Sequence, residues 1–203
     1  MKLKPILAAC VASLFIVGCS TNDYDEYAYG LPPVEKTDFD SFFAQGTTSV
    51  GQLSLAPIKI TYSHNRESSR IYNDEDFELK EREVNKLQRE AEKAFAKYFN
   101  SADKEQNAAS YQLELHFDKL FLTAPLQEDT QVDKVFAEES GRMLLKGVIR
   151  TNDQEGKVVA SFVDKLDIGI ERQVPRRYSS VRFWSDMNHT LRRVAGKLQR
   201  SVN

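Results

Sequence analysis

Thiols, histidines and glycine-rich loops are all scarce in this chain, and each shortage removes a class of chemistry. Among 203 residues there are two cysteines, three histidines and nine glycines. Two cysteines cannot build a disulfide scaffold or a paired-cysteine zinc site. The glycines assemble into neither a phosphate-cradling loop nor a Gly-x-Ser-x-Gly elbow. His64, His116 and His189 are scattered, so a nucleophile with a base and an orienting partner is not visible along the chain. Charge of one sign is lacking too: 28 basic against 30 acidic residues exclude the strongly basic balance of a dedicated nucleic-acid binder. A mean hydropathy of -0.50 excludes a polytopic membrane protein. The length allows one medium domain with a real core.

The one long apolar run lies at the N-terminus. Lys2 and Lys4 precede an uncharged stretch over 6–18, which stops at Cys19. Thirteen helical residues span about 20 Å, short of the roughly 30 Å hydrocarbon core, so the segment reads as a secretory signal covering residues 1–18. Ile16, Val17, Gly18 and Cys19 resemble a bacterial lipobox. In proteins with that motif the peptide is cut before the cysteine, the thiol receives a diacylglycerol, and the new amino group is acylated by a fatty acid such as palmitate. Several acyl chains are needed because a single one holds a protein only marginally. Ser20, in place of aspartate, implies carriage to the outer membrane with the domain facing the periplasm. Cys10 leaves with the signal, and the mature fold is then without a thiol.

Without Lys2 and Lys4, the 28 basic residues become 26 against 30 acidic, a net charge of -4. Asp23, Asp25, Glu26, Glu35, Asp38 and Asp40 stand against Lys36, with Gly30, Pro32 and Pro33 among them. This composition predicts a flexible acidic tether over 19–49 and a single domain over 50–203. Tyr24, Tyr27, Tyr29, Phe39, Phe42 and Phe43 are unusual in a spacer, and predict either that its later part docks along the domain or that it binds a partner. Leu53, Leu55, Ile58, Ile60 and Tyr62 suggest a first strand, with Pro57 at an edge or bulge. Val84, Leu87, Ala91, Phe95 and Tyr98 recur at helical spacing. Tyr111, Leu113, Leu115 and Phe117 alternate with polar residues as a half-buried strand does, and Leu120 to Leu122 extend it. Two more β-like runs, 143–151 and 157–168, flank a hairpin loop. Phe183, Trp184, Met187, Leu191, Val194, Leu198 and Val202 form a closing helical stripe with Ser179 or Ser180 as its N-cap. The order β-α-β-β-β-α predicts an α+β fold, a four-stranded, mostly antiparallel sheet with both helices on one face.

The lipobox at Cys19, the strand Leu55-Ala56-Pro57-Ile58 leading toward a helix, and the strand Leu113-Glu114-Leu115-His116-Phe117 ending in Thr123-Ala124-Pro125 carry a resemblance. So do the hairpin at Asn152-Asp153-Gln154-Glu155-Gly156 and the closing Phe183-Trp184. Together they resemble a family of proteobacterial lipoproteins, the domain of unknown function numbered three thousand three hundred and thirteen. The resemblance implies an envelope location and this fold. It implies no activity, because the family carries none to inherit.

Glu114, His116 and Asp118 project from one strand face at spacing two, a pattern that offers ligands to a divalent metal, though the polar side of a half-buried sheet contains such residues anyway. Neither a metal nor any other cofactor is expected. Asp164 and Asp167 fall on opposite strand faces, which makes a poor acid/base pair. The clearest polar feature lies over 171–203, where eight basic residues face Glu171 and Asp186, a local charge of +6. Arg172, Arg176, Arg177 and Arg182 surround the entry to the last helix and form a candidate binding patch. Arg192, Arg193, Lys197 and Arg200 occupy its last turns, where cations favour the helix dipole. Either a solvated face or a binding surface fits these charges; the partners in view are anionic lipid, an acidic cell-wall polymer or an envelope protein. The expected function is an outer-membrane-anchored binding or accessory module rather than an enzyme. The competing class is a small envelope hydrolase or ligand-binding enzyme with an unrecognised site.

Overall fold

The computed structural model describes residues 25–46, 50–63, 78–99, 110–124, 126, 136–153, 155–169 and 176–202. The signal segment, Cys19 and Arg172 lie outside the described residues. After a short 3-10 turn at Asp25–Tyr27 the elements are β1 (Ser41–Ala44), β2 (Leu53–Leu55), β3 (Lys59–Tyr62), α1 (Glu81–Ala96), β4 (Tyr111–Leu122), β5 (Phe136–Ala137), β6 (Gly141–Thr151), β7 (Val158–Ile168), β8 (Arg176–Arg177) and α2 (Ser180–Val202). The class is α+β. The main sheet has six strands in the order β1-β7-β6-β4-β2, with β3 also on β4.

Three expectations about the sheet change. First, β2 and β3 run parallel to β4, while β4, β6, β7 and β1 are antiparallel. The sheet is therefore mixed: a strand followed by a helix and a second strand is a crossover unit, and crossovers join parallel strands. Second, the first strand is broken at Pro57, which has no N–H. The Gln88 side chain on α1 fills the break, accepting from the Ile58 N–H at 2.9 Å and donating to the Ala56 carbonyl at 3.4 Å. Third, the stretch read as tether supplies β1, which pairs with β7 from Ser41↔Val163 to Ala44↔Ala160. The folded unit thus begins well before residue 50. A separate two-stranded ribbon of β5 and β8 forms outside the main sheet.

The long strand β4 keeps both halves in the core through a bulge. Leu113, Leu115 and Phe117 are buried, and so are Leu120 and Leu122, one residue out of phase with them. Lys119, at φ 53, takes up the extra residue where the β4–β6 register shifts. On the same face Phe162 of β7 lies across Gly147 of β6, where a Cβ would come within 2.2 Å of the ring. The close approach leaves room only for glycine.

Both helices cover this face and share its core: Leu87, Ala91 and Phe95 from α1, Phe183, Met187, Leu191, Val194 and Leu198 from α2. They run parallel, because contacts advance together along both: Lys86 over Trp184, Asn188 to Glu90, Gln199 to the Tyr98 carbonyl. Helix α1 starts with the Glu83 carboxylate accepting the Lys80 N–H at 2.8 Å. Helix α2 starts with the Ser179 hydroxyl accepting the Arg182 N–H at 3.2 Å.

Candidate functional site

The opposite face of the sheet is polar and partly strapped. Alternation along β4 and β6 points Glu114, His116 and Asp118 outward, beside Lys146 and Arg150. Glu114 pairs with Arg150 at 3.0 Å and Asp118 with Lys146 at 2.6 Å. Thr61 from β3 donates to Asp118 at 2.5 Å and lies 3.4 Å from the His116 ring. The three side chains considered as metal ligands are therefore matched to cations and a hydroxyl. Among the described residues no group of three His, Cys, Asp or Glu side chains is placed to hold a metal.

Burial raises the Asp118 carboxyl, but hydrogen bonds from Lys146 and Thr61 outweigh it and hold the group below the usual aspartate range. Burial likewise lowers Lys146, yet its bonds to Asp118 and Tyr27 leave it above the ordinary lysine value. His116 is lowered by burial, with Asp118 opposing and Lys146 and Lys59 adding. Both members of the Asp118–Lys146 pair are thus stabilised in their charged forms.

Over this pair runs the acidic N-terminal stretch. The Tyr27 ring sits 4.3 Å from the Lys146 ammonium, which also donates to the Tyr27 hydroxyl. The Ser161 hydroxyl on β7 donates to the Tyr27 carbonyl. Tyr29 stands beside the Arg150 guanidinium at 5.7 Å. The chain then turns to the sheet edge, where the Val34 N–H donates to Phe42 and the Ala44 N–H to Pro32, covering β1. An open crevice of about 520 Å³ lies there, lined by Leu31, Pro33, Val34, Glu35, Phe39 and Phe42 among others. The tyrosines stand out in the sequence but their seat does not; their spacing beside Gly30 and two prolines is the signal it carries.

The candidate arginine patch does not come together as four free cations. Arg176 and Arg177 form β8 against β5, with Arg177 exposed. Arg182 turns back to Asp186 at 3.3 Å and to the Glu138 carbonyl at 2.9 Å, while Asp186 accepts from Ser140 at 2.5 Å. This cluster pins the start of α2 to the β5–β6 connection. Farther along α2, Arg200 pairs with Asp38 at 2.5 Å, and Lys197 reaches the buried Asp164 at 2.8 Å. Burial pushes the Asp164 carboxyl up despite the Lys197 bond. Asp164 and Asp167 do point to opposite faces, Asp164 buried and Asp167 exposed opposite Arg142.

Scanning against family models finds no match, and no curated protein matches the chain. Among solved structures, a PelC dodecamer from Paraburkholderia phytofirmans is similar at 16% identity, over 78% of this chain and 94% of that one, with a TM-score of 0.38. At that TM-score the likeness bears on neither fold nor activity. Among the described residues no helix is long and apolar enough to cross a membrane.

Proposed function

We propose that this chain is an outer-membrane lipoprotein, anchored through a diacylglycerol thioether on Cys19, whose α+β domain serves the cell envelope as a binding or accessory module. One observation carries the reading: Ile16-Val17-Gly18-Cys19 stands at the end of an apolar run too short to span a bilayer. Thioether and amide acylation together supply the multiple chains that stable anchoring needs. A binding role is favoured over hydrolysis by the state of the conspicuous carboxylates. Glu114, Asp118, Asp164 and Asp186 each hold a basic partner, which leaves them poorly placed to exchange protons with a substrate.

The test is the anchor itself. Cys19→Ala should abolish metabolic labelling by radioactive palmitate and move the protein out of the outer-membrane fraction. Labelling that persists in the variant would sink the proposal.

A further inference from the structure

We infer that the working surface is the outer side of the parallel helix pair, a cationic ridge that faces away from the anchoring bilayer and binds an extended acidic polysaccharide. Arg82, Lys86, Arg89, Lys93 and Lys97 follow one another at spacings of three and four, forming a single stripe along α1 and its C-cap. At 1.5 Å per residue the stripe is about 22 Å long. Like charges at these spacings oppose helix formation, and the helix dipole favours only Lys93 and Lys97 near the C-terminus, so folding alone does not explain Arg82, Lys86 and Arg89. Across the seam, α2 contributes the exposed Arg192. Among the described residues Arg82, Arg89 and Arg192 have no ion-pair partner, and Lys86 and Lys97 stand over the rings of Trp184 and Tyr98. Of the nearby acids, Glu90 sits in the seam with Lys93 and Asn188, and Glu92 accepts from Gln88 on the far flank.

The direction of this ridge follows from the strap, and only that direction rests on the lipoprotein reading. Residues 19 to 25 can reach at most about 21 Å. Residue 27 is seated on the other face of the sheet by Lys146 and Ser161. The sheet therefore lies between the anchor and a helical layer about 10 Å thick, which turns the ridge away from its own membrane. A protein partner would need an apolar centre of contact, yet the large exposed hydrophobics of the described residues are only Tyr29 and Val181. A linear array of cations with one small apolar side chain at its end fits a linear polyanion.

The experiment uses the full chain in neutral phosphatidylcholine vesicles with polygalacturonate as the probe. The wild type should bind it in a salt-dependent manner. The triple variant Arg82→Glu, Arg89→Glu, Arg192→Glu, checked for an unchanged melting profile, should bind roughly tenfold more weakly or worse. Arg142→Glu and Lys157→Glu, on the sheet and its hairpin, should bind as the wild type does. Three results overturn the inference: no binding, binding that the triple variant retains, or equal capture of polyglutamate. Clustering of added phosphatidylglycerol vesicles at the same salt would assign the ridge to lipid and overturn it as well. Polygalacturonate binding in a chain that carries no acyl label would keep the ridge as the binding surface while defeating the anchor.

Discussion

Among the described residues each face of the sheet holds a lysine–aspartate pair of similar length, and the two behave in opposite ways. On the strapped face, Asp118 and Lys146 are surrounded by donors and acceptors, and both are held in their charged forms. Between the sheet and α2, Asp164 has Lys197 at 2.8 Å, but 3% of its side chain is exposed and burial raises its carboxyl all the same. A buried ion pair stabilises only where hydrogen bonds replace the lost water; Lys197 and one backbone hydrogen bond from Asp40 are not enough. The comparison separates a face organised to seat a polar chain segment from a face organised to pack helices.

Removing Lys197 should have the largest effect. Lys197→Met leaves a buried carboxylate without its partner, and denaturant unfolding at pH 7 should show a loss of about 3 kcal/mol. Because Asp164 is raised in the folded state, the native protein keeps that proton to higher pH than the unfolded chain does. The contribution of Asp164 is complete below the usual aspartate value and declines as pH rises through the folded one. The Lys197→Met defect should therefore shrink in acid. A defect that does not change with pH would remove the distinction between the faces.

The strapped face should respond less. Lys146→Met is expected to cost about 1 to 2 kcal/mol at pH 7, because Asp118 keeps Thr61 and some access to water. For the carboxyl the sign reverses. Support from Asp118 is present above its ordinary value near 3.8 and is lost as pH falls through its lowered folded value. Support from Lys146 is present below 10.5 and fades as pH rises through its raised one. A stability plateau between these limits, absent in the variant, would sharpen the comparison.

Tyr27→Ala should give the smallest change, about 1 kcal/mol, from loss of the ring over Lys146 and the bond to its hydroxyl. Its effect should be local: faster hydrogen exchange at Val34 and Ala44, whose N–H groups tie the strap to β1, with the β4–β6 ladder unchanged. Uniform acceleration across the sheet would contradict a separable strap.

Periodicity revealed both helices and the long strands because each buries a single face, which a regular spacing records directly. Strand direction was also legible in the order strand, helix, strand, although the expectation was a four-stranded, mostly antiparallel sheet with no strand singled out as parallel. Docking of the later tether was one of the two readings its aromatic residues allowed; its seat escaped because acids and prolines describe solvation, while the placement depends on Lys146 and Ser161, more than a hundred residues away. A charge count over 171–203 could not separate Arg182, which folds back on Asp186 one turn later, from Arg192, which faces outward. Nor did local charge mark the ridge on α1, where acidic residues of the same helix mask the stripe in any sum along the chain.

Orientation at the membrane tests the central claim most directly. A fluorophore at Lys165 on the strapped side of the sheet, and in a second sample at Arg192 on α2, would be read in vesicles containing a lipid-borne quencher. If the acylated chain is seated across the sheet as described, quenching at position 165 should clearly exceed that at 192. Equal quenching, or stronger quenching at 192, would contradict it.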